Sequence, residues 1–170
     1  MTHPHEADLE VKVGVISIST SRWKRYGDLK GLENVPEDDE STRIVVERLN
    51  CVDYRLVPDR RLSIIKAIAE LAESVDVIVT IGGTGISPTD VTVDVVRRLV
   101  DREIEGFGEI FRMLSYEEVG ASAMLSRAFA GVLDGTVIFC LPGSKGAVRL
   151  GVELISRVIK HVVSHARGLR

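Results

Sequence analysis

Glutamine is absent from the chain and asparagine occurs only twice among its 170 residues, while arginine outnumbers lysine by 16 to 6. Heat-sensitive amides are therefore scarce and charged side chains are plentiful, a composition typical of proteins from heat-loving organisms. We expect a thermophilic source, and an unfolding midpoint below about 65 °C, within the mesophile range, would contradict that expectation.

Cysteine and long apolar runs are scarce as well. Cys51 and Cys140 lie in or beside strand-like segments, too far apart for a zinc-knuckle pattern, so packing in a reducing compartment fits them better than a disulfide. The apolar runs have the length of strands, which excludes a membrane span, and the first residues lack the basic-then-apolar order of a secretion signal. We expect a cytoplasmic protein with no membrane partner.

Excess positive charge is also absent, since the net charge is −3. This argues against a nucleic-acid surface, and we expect no nucleic-acid partner. In residues 22–26, RWKRY, cations are interleaved with aromatic rings in a predicted loop. Such a loop could stack on nucleic-acid bases, but a mobile lid or a solvated loop is the favoured interpretation. Residues 26–40 are rich in glycines and acids and predict a mobile segment that closes over a substrate.

Hydrophobic periodicity predicts the fold. The 45% hydrophobic content suffices for one domain over residues 1–170, with flexible tails at residues 1–10 and 166–170. Predicted strands and helices alternate, which indicates an α/β fold with three layers: a mostly parallel central sheet with helices on both faces. The predicted strands are residues 11–18, 52–57, 75–81 and 136–141, and the predicted helices are residues 41–49, 63–73, 91–101, 108–114 and 147–164.

The segment SVDVIVTIGGTGISPTDVTVD, residues 74–94, is the most informative part of the chain. A β-branched strand ends at Gly82, Gly83, Thr84 and Gly85, where the backbone can turn sharply and bring N–H groups to an anion. Ser87 then has the position of a helix N-cap, with Pro88 and Asp90 behind it. The loop is neither a P-loop nor a dinucleotide fingerprint, and a turn that needs glycine for steric reasons alone is the alternative.

Four predicted loops follow strands of a parallel sheet and should therefore meet at one edge. They begin near Ser17, Pro58, Gly82 and Pro142. In such sheets ligands bind beyond the carboxyl ends of the strands, so this edge is the candidate site.

The string TIGGTGISPTDVT, residues 80–92, resembles the glycine loop of the MogA/MoaB family of molybdenum cofactor biosynthesis. The resemblance covers about residues 11–158 and is closest to the MoaB branch between residues 101 and 131. Further matching segments are VISIS at 15–19, LVPD at 56–59, REIEGFGE at 102–109, MLS at 113–115, LSRA at 125–128 and LPGS at 141–144.

The resemblance implies a molybdopterin adenylyltransferase, a nucleotidyltransferase in which the pterin phosphate attacks the α-phosphate of ATP and pyrophosphate leaves. Such chemistry needs alignment, N–H donors and Mg²⁺ held by one or two carboxylates. Asp59 and Asp90 match the family's functional aspartates, which makes them the predicted catalytic and magnesium-binding residues. A solvated turn for Asp59 and a capping role for Asp90 are the alternatives.

The resemblance also implies a pocket for molybdopterin and ATP. Ser115, Ser126 and Arg127 match pocket positions, although the serines could be helix caps and the arginine could pair with a surface acid. The full predicted binding set is Ser19, Gly82, Gly83, Thr84, Gly85, Ser115, Ser126, Arg127, Pro142, Gly143 and Ser144.

Two departures from the family pattern leave a second function open. Thr20 stands where relatives often carry an acid, and Cys140 stands where many adenylyltransferases carry an asparagine. A non-catalytic molybdopterin- or nucleotide-binding protein of the same fold is therefore the alternative to the enzyme. The family's trimers or hexamers imply self-association, in accord with the apolar residues between Gly106 and Ala130.

Overall fold

The computed structural model describes residues 8–169. These residues form one seven-stranded sheet with helices packed on both of its faces. The strand order across the sheet is β2-β3-β1-β4-β7-β6-β5. The strands are β1 (Val13–Ile18), β2 (Leu29–Lys30), β3 (Cys51–Val57), β4 (Val77–Ile81), β5 (Arg102–Glu103), β6 (Phe129–Leu133) and β7 (Thr136–Leu141). The α-helices are α1 (Thr20–Tyr26), α2 (Glu40–Arg48), α3 (Arg61–Ala72), α4 (Thr92–Leu99), α5 (Glu105–Val119) and α6 (Lys145–Ala166), and two short 3-10 helices cover Leu32–Asn34 and Gly120–Leu125.

The four central strands β3, β1, β4 and β7 are mutually parallel. The edge strand β2 is antiparallel to β3, and β6 is antiparallel both to β7 and to the other edge strand, β5. Every residue of β1, β4 and β7 is buried. Such continuous apolar runs are typical of parallel strands covered on both faces. The predicted, mostly parallel sheet is confirmed.

Two apolar cores flank the sheet, one on each face. Side chains such as Val15 and Val79 pack against α2, α5 and α6. Side chains such as Ile16 and Ile78 point the opposite way and pack against α3 and α4. Successive strand residues alternate between the two cores because the side-chain period of a strand is two. The predicted three layers are confirmed.

Three local predictions were wrong. Residues 20–26 form the helix α1 instead of a loop, because Ser19 accepts a hydrogen bond from the backbone N–H of Arg22 and caps the first turn. Ser87, predicted as a helix N-cap, instead closes a turn with Asp90, and α4 begins at Thr92, one residue after its predicted start at residue 91. Strand β6 was missed, although Asp134-Gly135, both with positive φ, form the two-residue turn that joins it to β7.

The segment between α1 and α2 is held by local contacts. Its strand β2 pairs with β3, the Trp23 indole donates to Asp28, and the Tyr26 hydroxyl donates to Asp38. Of the predicted tails, residues 1–7 and 170 lie outside the described residues. Within the described part, Leu9 packs against the core and Arg167 pairs with Asp76. No helix in residues 8–169 combines the length and the apolar character that crossing a membrane requires.

Candidate functional site

The carboxyl ends of β3, β1, β4 and β7 lie along one edge of the sheet, because adjacent strands are parallel and in register there. Ile18 is paired with Val57, and Ile81 with Leu141. The loops after these strands contact one another, as described below. The predicted convergence of four loops at one edge is confirmed.

The glycine loop, residues 82–85, requires glycine at its first two positions. Gly82 has φ 105° and Gly83 has φ 70°, a region that other residues rarely adopt. A Cβ at Gly82 would also strike the carbonyl oxygen of Ile18, and one at Gly83 would strike the Thr92 hydroxyl. The glycine loop is therefore pressed against the end of β1 and the start of α4, and the steric reason for its glycines holds beside any functional one.

The loop after β7 lies against the glycine loop. The N–H of Gly82 donates to the carbonyl of Leu141 at 2.9 Å, and a Cβ at Gly143 would come within 3.9 Å of the Gly82 Cα. Ser144 caps α6 by accepting from the N–H of Ala147 at 3.3 Å. The predicted residues 82–85 and 142–144 therefore form one continuous surface that includes the N-terminus of α6, where backbone N–H groups favour anions.

Asp90 closes a turn next to the glycine loop. Its Oδ2 accepts from the N–H of Ser87 at 2.9 Å, and the N–H of Asp90 donates to the Ser87 carbonyl at 2.9 Å. A Cβ at Gly85 would lie 2.7 Å from the same Oδ2. Asp90 thus points toward the glycine loop. Of the two bonds of a capping box only the one from the Ser87 N–H to Asp90 is made, because the Asp90 N–H donates to the Ser87 carbonyl and not to its hydroxyl.

Arg127 stabilises the glycine loop and the turn after it through hydrogen bonds to their carbonyl groups. Its Nε donates to the Gly85 carbonyl at 2.9 Å and its Nη2 donates to the Asp90 carbonyl at 2.7 Å. Both Nη atoms also donate to the carboxylate of Asp94, at 3.0 and 3.1 Å, and the Arg127 N–H donates to the carbonyl of buried Thr84 at 2.8 Å. These bonds use most of the guanidinium donors, so the arginine holds the loop in shape and pairs with a surface acid.

Asp59 lies at the same edge, after β3, and is bonded to the beginning of α1. Its Oδ2 accepts from the Thr20 hydroxyl at 2.7 Å and from the Thr20 N–H at 3.1 Å. Asp59 and Asp90 thus bond to different loops. Strand β1 separates β3 from β4, so two strand spacings, about 10 Å, separate the ends of those strands.

No group of three or more His, Cys, Asp or Glu side chains within residues 8–169 is arranged to hold a metal ion. A cation at this edge would therefore take at most two carboxylates from the chain and its other ligands from phosphate or water, as Mg²⁺ commonly does. Asp59 Oδ1 and Asp90 Oδ1 accept no hydrogen bond from the described residues, which leaves one oxygen of each carboxylate for such a role.

The predicted serines fall into two groups. Ser19 and Ser144 cap helices by accepting backbone N–H bonds, whereas Ser126 accepts the N–H of Ala128, just before β6, and caps no helix. Ser115 is half-buried in the second half of α5. The following turn reaches the edge, since Glu118 lies about 4.0 Å from where a Gly146 Cβ would be.

Sequence reasoning missed the contribution of α2 to the site. The Ser41 hydroxyl donates to the carbonyl of Gly143 at 2.9 Å, and Lys145 pairs with Glu40 at 2.5 Å. The Lys145 ammonium, through a hydrogen bond and its charge, holds the pKa of the Glu40 carboxyl below its usual range. The predicted helix began at Ser41, whereas Asp39 is the N-cap, and an aspartate three residues before Thr42 is a signal that would have found it.

Cys140 does not face the site. Its side chain is fully buried in the core beneath α3 and α4, and burial raises the pKa of its thiol to about 12. A cysteine in place of an asparagine at position 140 therefore changes the packing of that core. The thiol is not exposed at the sheet edge that carries the candidate site.

The comparisons with known proteins agree on the family. The family model described as "Probable molybdopterin binding domain" matches residues 14–161. A Methanocaldococcus jannaschii protein named "Probable molybdopterin adenylyltransferase" is 42% identical over 167 residues, covering 96% of this chain and 98% of its own. A Pyrococcus furiosus "Molybdopterin adenylyltransferase" is 40% identical over 174 residues, covering 97% and 96%.

A solved structure shows the same fold. The crystal structure of "tungsten cofactor synthesizing protein MoaB" from Pyrococcus furiosus superposes with a TM-score of 0.79 at 38% identity, covering 92% of this chain and 97% of that one. With a family model matched over most of its length and with relatives of about 40% identity along nearly all of it, this chain belongs to the molybdopterin-binding family that includes the MoaB proteins.

Proposed function

We propose that the protein is a molybdopterin adenylyltransferase of molybdenum cofactor biosynthesis, with molybdopterin and ATP as substrates. Two relatives of 40 and 42% identity over nearly the whole chain carry that name. The observation that supports the proposal most directly is the convergence of the glycine loop, the N-terminus of α6 and Asp59 at one sheet edge.

The reaction joins the pterin phosphate to the α-phosphorus of ATP. A new P–O bond forms to a terminal phosphate oxygen of molybdopterin, and the bond from the α-phosphorus to the bridging oxygen of pyrophosphate breaks. A protein contributes to such a transfer mainly by aligning the phosphates and by offsetting their charge. The backbone N–H groups around Gly83 and at the start of α6 are the donors that this chain supplies for that purpose.

Asp59 and Asp90 fit a requirement for Mg²⁺. Each carboxylate keeps one oxygen that accepts no hydrogen bond within residues 8–169, and oxygen ligands are those that Mg²⁺ prefers. When bound with ATP, the cation would neutralise phosphate charge. The chain's own part is to hold the two carboxylates in place, Asp59 through Thr20 and Asp90 through the Ser87 turn.

The test is product formation. The protein is incubated with molybdopterin, ATP and MgCl₂, and adenylylated pterin and pyrophosphate are measured for the wild type, Asp59→Asn and Asp90→Asn. Asp134→Asn is the matched control, because Asp134 lies in the β6–β7 turn and asparagine also tolerates its positive φ. We expect product from the wild type and the control and at least a tenfold loss in the other two. Full activity in both Asp59→Asn and Asp90→Asn would remove their catalytic assignment.

A non-catalytic pterin- or nucleotide-binding protein is the second candidate. The position of Thr20, which replaces an acid, favours it, as does the use of one Asp90 oxygen to close a turn. Binding of molybdopterin by the wild type without any adenylylated product would select this candidate.

We also propose that copies of the chain self-associate, as trimers or hexamers, and act in the cytoplasm. Between α5 and the following 3-10 helix, six large apolar side chains are exposed: Ile110, Met113, Tyr116, Val119, Met124 and Leu125. Exposed large apolar side chains concentrated in one segment of the chain are typical of an interface. The cytoplasmic assignment is supported by ATP as a substrate and by the two free cysteines.

A further inference from the structure

Three hydrogen bonds join Thr20 and Asp59, which lie 39 residues apart in sequence. The Thr20 hydroxyl donates to Asp59 Oδ2 at 2.7 Å and accepts from the Asp59 N–H at 3.0 Å, while the Thr20 N–H donates to the same Oδ2 at 3.1 Å. The hydroxyl therefore acts as donor and acceptor toward a single residue. It links the loop after β3 to the beginning of α1, across two adjacent strands.

This pattern fixes the orientation of the Asp59 carboxylate. With two donors on Oδ2 and the Asp59 backbone held as well, the carboxylate plane cannot turn without breaking a bond. Oδ1 is then the oxygen turned away from Thr20, and no donor within residues 8–169 reaches it. The Thr20 hydroxyl donates its hydrogen to Asp59 and accepts the Asp59 N–H, so both of its hydrogen bonds are made to that one residue.

The contact is more than the cap of a short helix. α1 already has an N-cap, because Ser19 accepts the N–H of Arg22 at 3.3 Å. The bond from the Thr20 hydroxyl to Oδ2 satisfies no backbone group of α1, and the bond from the Asp59 N–H orders the loop after β3 instead. Both of these hydrogen bonds therefore fix the position of Asp59.

We infer that Thr20 is a positioning residue for Asp59: it holds Oδ2 so that Oδ1 is presented to a cation bound with the nucleotide triphosphate. The inference rests on the proposed function only in assigning Asp59 to that cation. On this view threonine can stand where the family resemblance implies an acid, because its hydroxyl orders the Asp59 carboxylate without adding a second negative charge.

The decisive comparison is between Thr20→Val and Thr20→Ser. Valine keeps the shape of threonine and removes the hydroxyl, whereas serine keeps the hydroxyl and removes the methyl group. Both retain the backbone N–H, so the difference between them isolates the two bonds made by Oγ1. Asp59→Asn serves as the reference for loss of the carboxylate.

The first readout is Mn²⁺ binding with ATP, followed by electron paramagnetic resonance in the absence of pterin. Residues that orient a metal ligand typically change metal affinity by about 10- to 100-fold when removed. We expect a Mn²⁺ dissociation constant raised about tenfold or more in Thr20→Val, approaching that of Asp59→Asn, and close to wild type in Thr20→Ser. Thermal unfolding of each variant shows that the fold is intact.

The second readout is the dependence of adenylylation on Mg²⁺ concentration. Thr20→Val should require more Mg²⁺ for half-maximal rate and recover most of the rate at saturation. Equal Mn²⁺ affinity in folded Thr20→Val and wild type would overturn the inference, as would equal weakening in Thr20→Ser and Thr20→Val. Should Thr20→Val not fold, Thr20→Ala carries the same expectation.

These outcomes separate the inference from the proposed function. A wild type that makes no adenylylated pterin, yet shows Mn²⁺ binding that depends on the Thr20 hydroxyl, contradicts the proposed function and supports the inference. An active wild type whose Mn²⁺ and Mg²⁺ dependence is unchanged in Thr20→Val does the reverse.

Discussion

Arg127 and Asp94 form a bidentate ion pair, with Nη1–Oδ1 and Nη2–Oδ2 distances of 3.0 and 3.1 Å. The same guanidinium donates to the carbonyls of Gly85 and Asp90. Arginine suits this task because its planar fork serves several acceptors at once, which the single ammonium of a lysine cannot do. The pair therefore connects α4, the glycine loop and the chain that leads into β6.

The ion pair gives stability a pH dependence. The hydrogen bond from Arg127, supported by its charge, lowers the pKa of Asp94 from its usual 3.8, because it favours the ionised form. A carboxyl with a lowered folded-state pKa contributes stability above its unfolded pKa, and that contribution is lost as pH falls through the folded value. Since Asp94 is 37% exposed, solvent screening keeps the effect at about 1 kcal/mol or less.

We therefore expect Asp94→Asn to lower the free energy of unfolding by up to about 1 kcal/mol at pH 7 and by progressively less as the pH falls below 3.8. Urea unfolding of the two proteins at a series of pH values measures this. Glu103→Gln is the control, because Glu103 pairs with Arg97 at 3.7 Å and touches no residue of the glycine loop. A difference between Asp94→Asn and wild type that stays constant with pH would contradict the expectation.

The glycines at 82 and 83 give a second prediction. A positive φ costs a non-glycine residue about 1–2 kcal/mol, and a Cβ at either position would also clash with Ile18 or Thr92. We expect Gly82→Ala and Gly83→Ala each to lower the free energy of unfolding by about 3 kcal/mol or more, as typical for strain combined with overpacking. Guanidinium unfolding is the measurement.

Gly27→Ala is the matched control for these two variants. Gly27 has φ 72°, close to that of Gly83, but a Cβ there would meet nothing within 4 Å. Its ψ of −167° lies in a region nearly confined to glycine, so Gly27→Ala should show the conformational cost alone, about 1–3 kcal/mol. Equal losses at positions 27 and 82 would show that the contact with β1 contributes nothing.

The sequence was sufficient for the layers of this fold and for the sheet edge that carries the candidate site, because apolar periodicity and the order of strands determine both. It was insufficient for features that depend on contacts between distant segments. Nothing near Thr20 signals a carboxylate 39 residues away, and nothing near Arg127 signals that its partners are Asp94 and the carbonyls of Gly85 and Asp90. Predicted as a phosphate ligand, Arg127 has most of its donors already bonded to the protein.

The position at which α4 starts also depends on contacts that the local sequence does not reveal. Ser87-Pro88-Thr89-Asp90 has the residue order of a helix N-terminus, but the Asp90 N–H donates to the Ser87 carbonyl and not to the Ser87 hydroxyl, so Ser87 does not act as an N-cap. The helix is delayed because the backbone N–H and the hydroxyl of Thr92 bond to the carbonyls of Gly83 and Gly82. Those bonds exist only once the glycine loop has folded back on α4.

The burial of Cys140 gives a third prediction. Its pKa of about 12 and its fully buried side chain make the thiol unreactive at pH 8. We expect Cys140 to be alkylated by iodoacetamide only after denaturation, as peptide mass spectrometry would show. Cys51 is only partly buried, although burial raises the pKa of its thiol to about 12 as well, so it should be alkylated before Cys140.

Substitution at position 140 separates packing from function. Cys140→Ala should leave the adenylylation rate unchanged, because the thiol does not reach the ligand edge. Cys140→Asn should instead destabilise the fold by about 1–3 kcal/mol, because the neighbouring buried Thr80 hydroxyl can satisfy only part of the hydrogen-bonding capacity of the amide. A gain of activity in Cys140→Asn would show that this side chain reaches the ligand after all.

Self-association gives the last prediction. An apolar groove of about 400 Å³ lies between α5 and α6, lined chiefly by Ile104, Phe107, Ile110, Leu154, Val158 and Val162. Ile110 is 47% exposed at its rim. We expect the wild type to have the mass of a trimer or hexamer in sedimentation experiments and Ile110→Glu to have that of a single chain, because burying an unpaired carboxylate in an apolar interface is strongly unfavourable.

Leu62→Glu is the control for the interface variant. Leu62 is 80% exposed on α3, on the opposite face of the sheet, so a carboxylate there should leave the assembly intact. A wild type that sediments as a single chain would contradict the proposed self-association. An Ile110→Glu variant that keeps the wild-type mass would instead place the interface elsewhere, since the groove would then be open to solvent in the assembly and a charge at its rim would cost little.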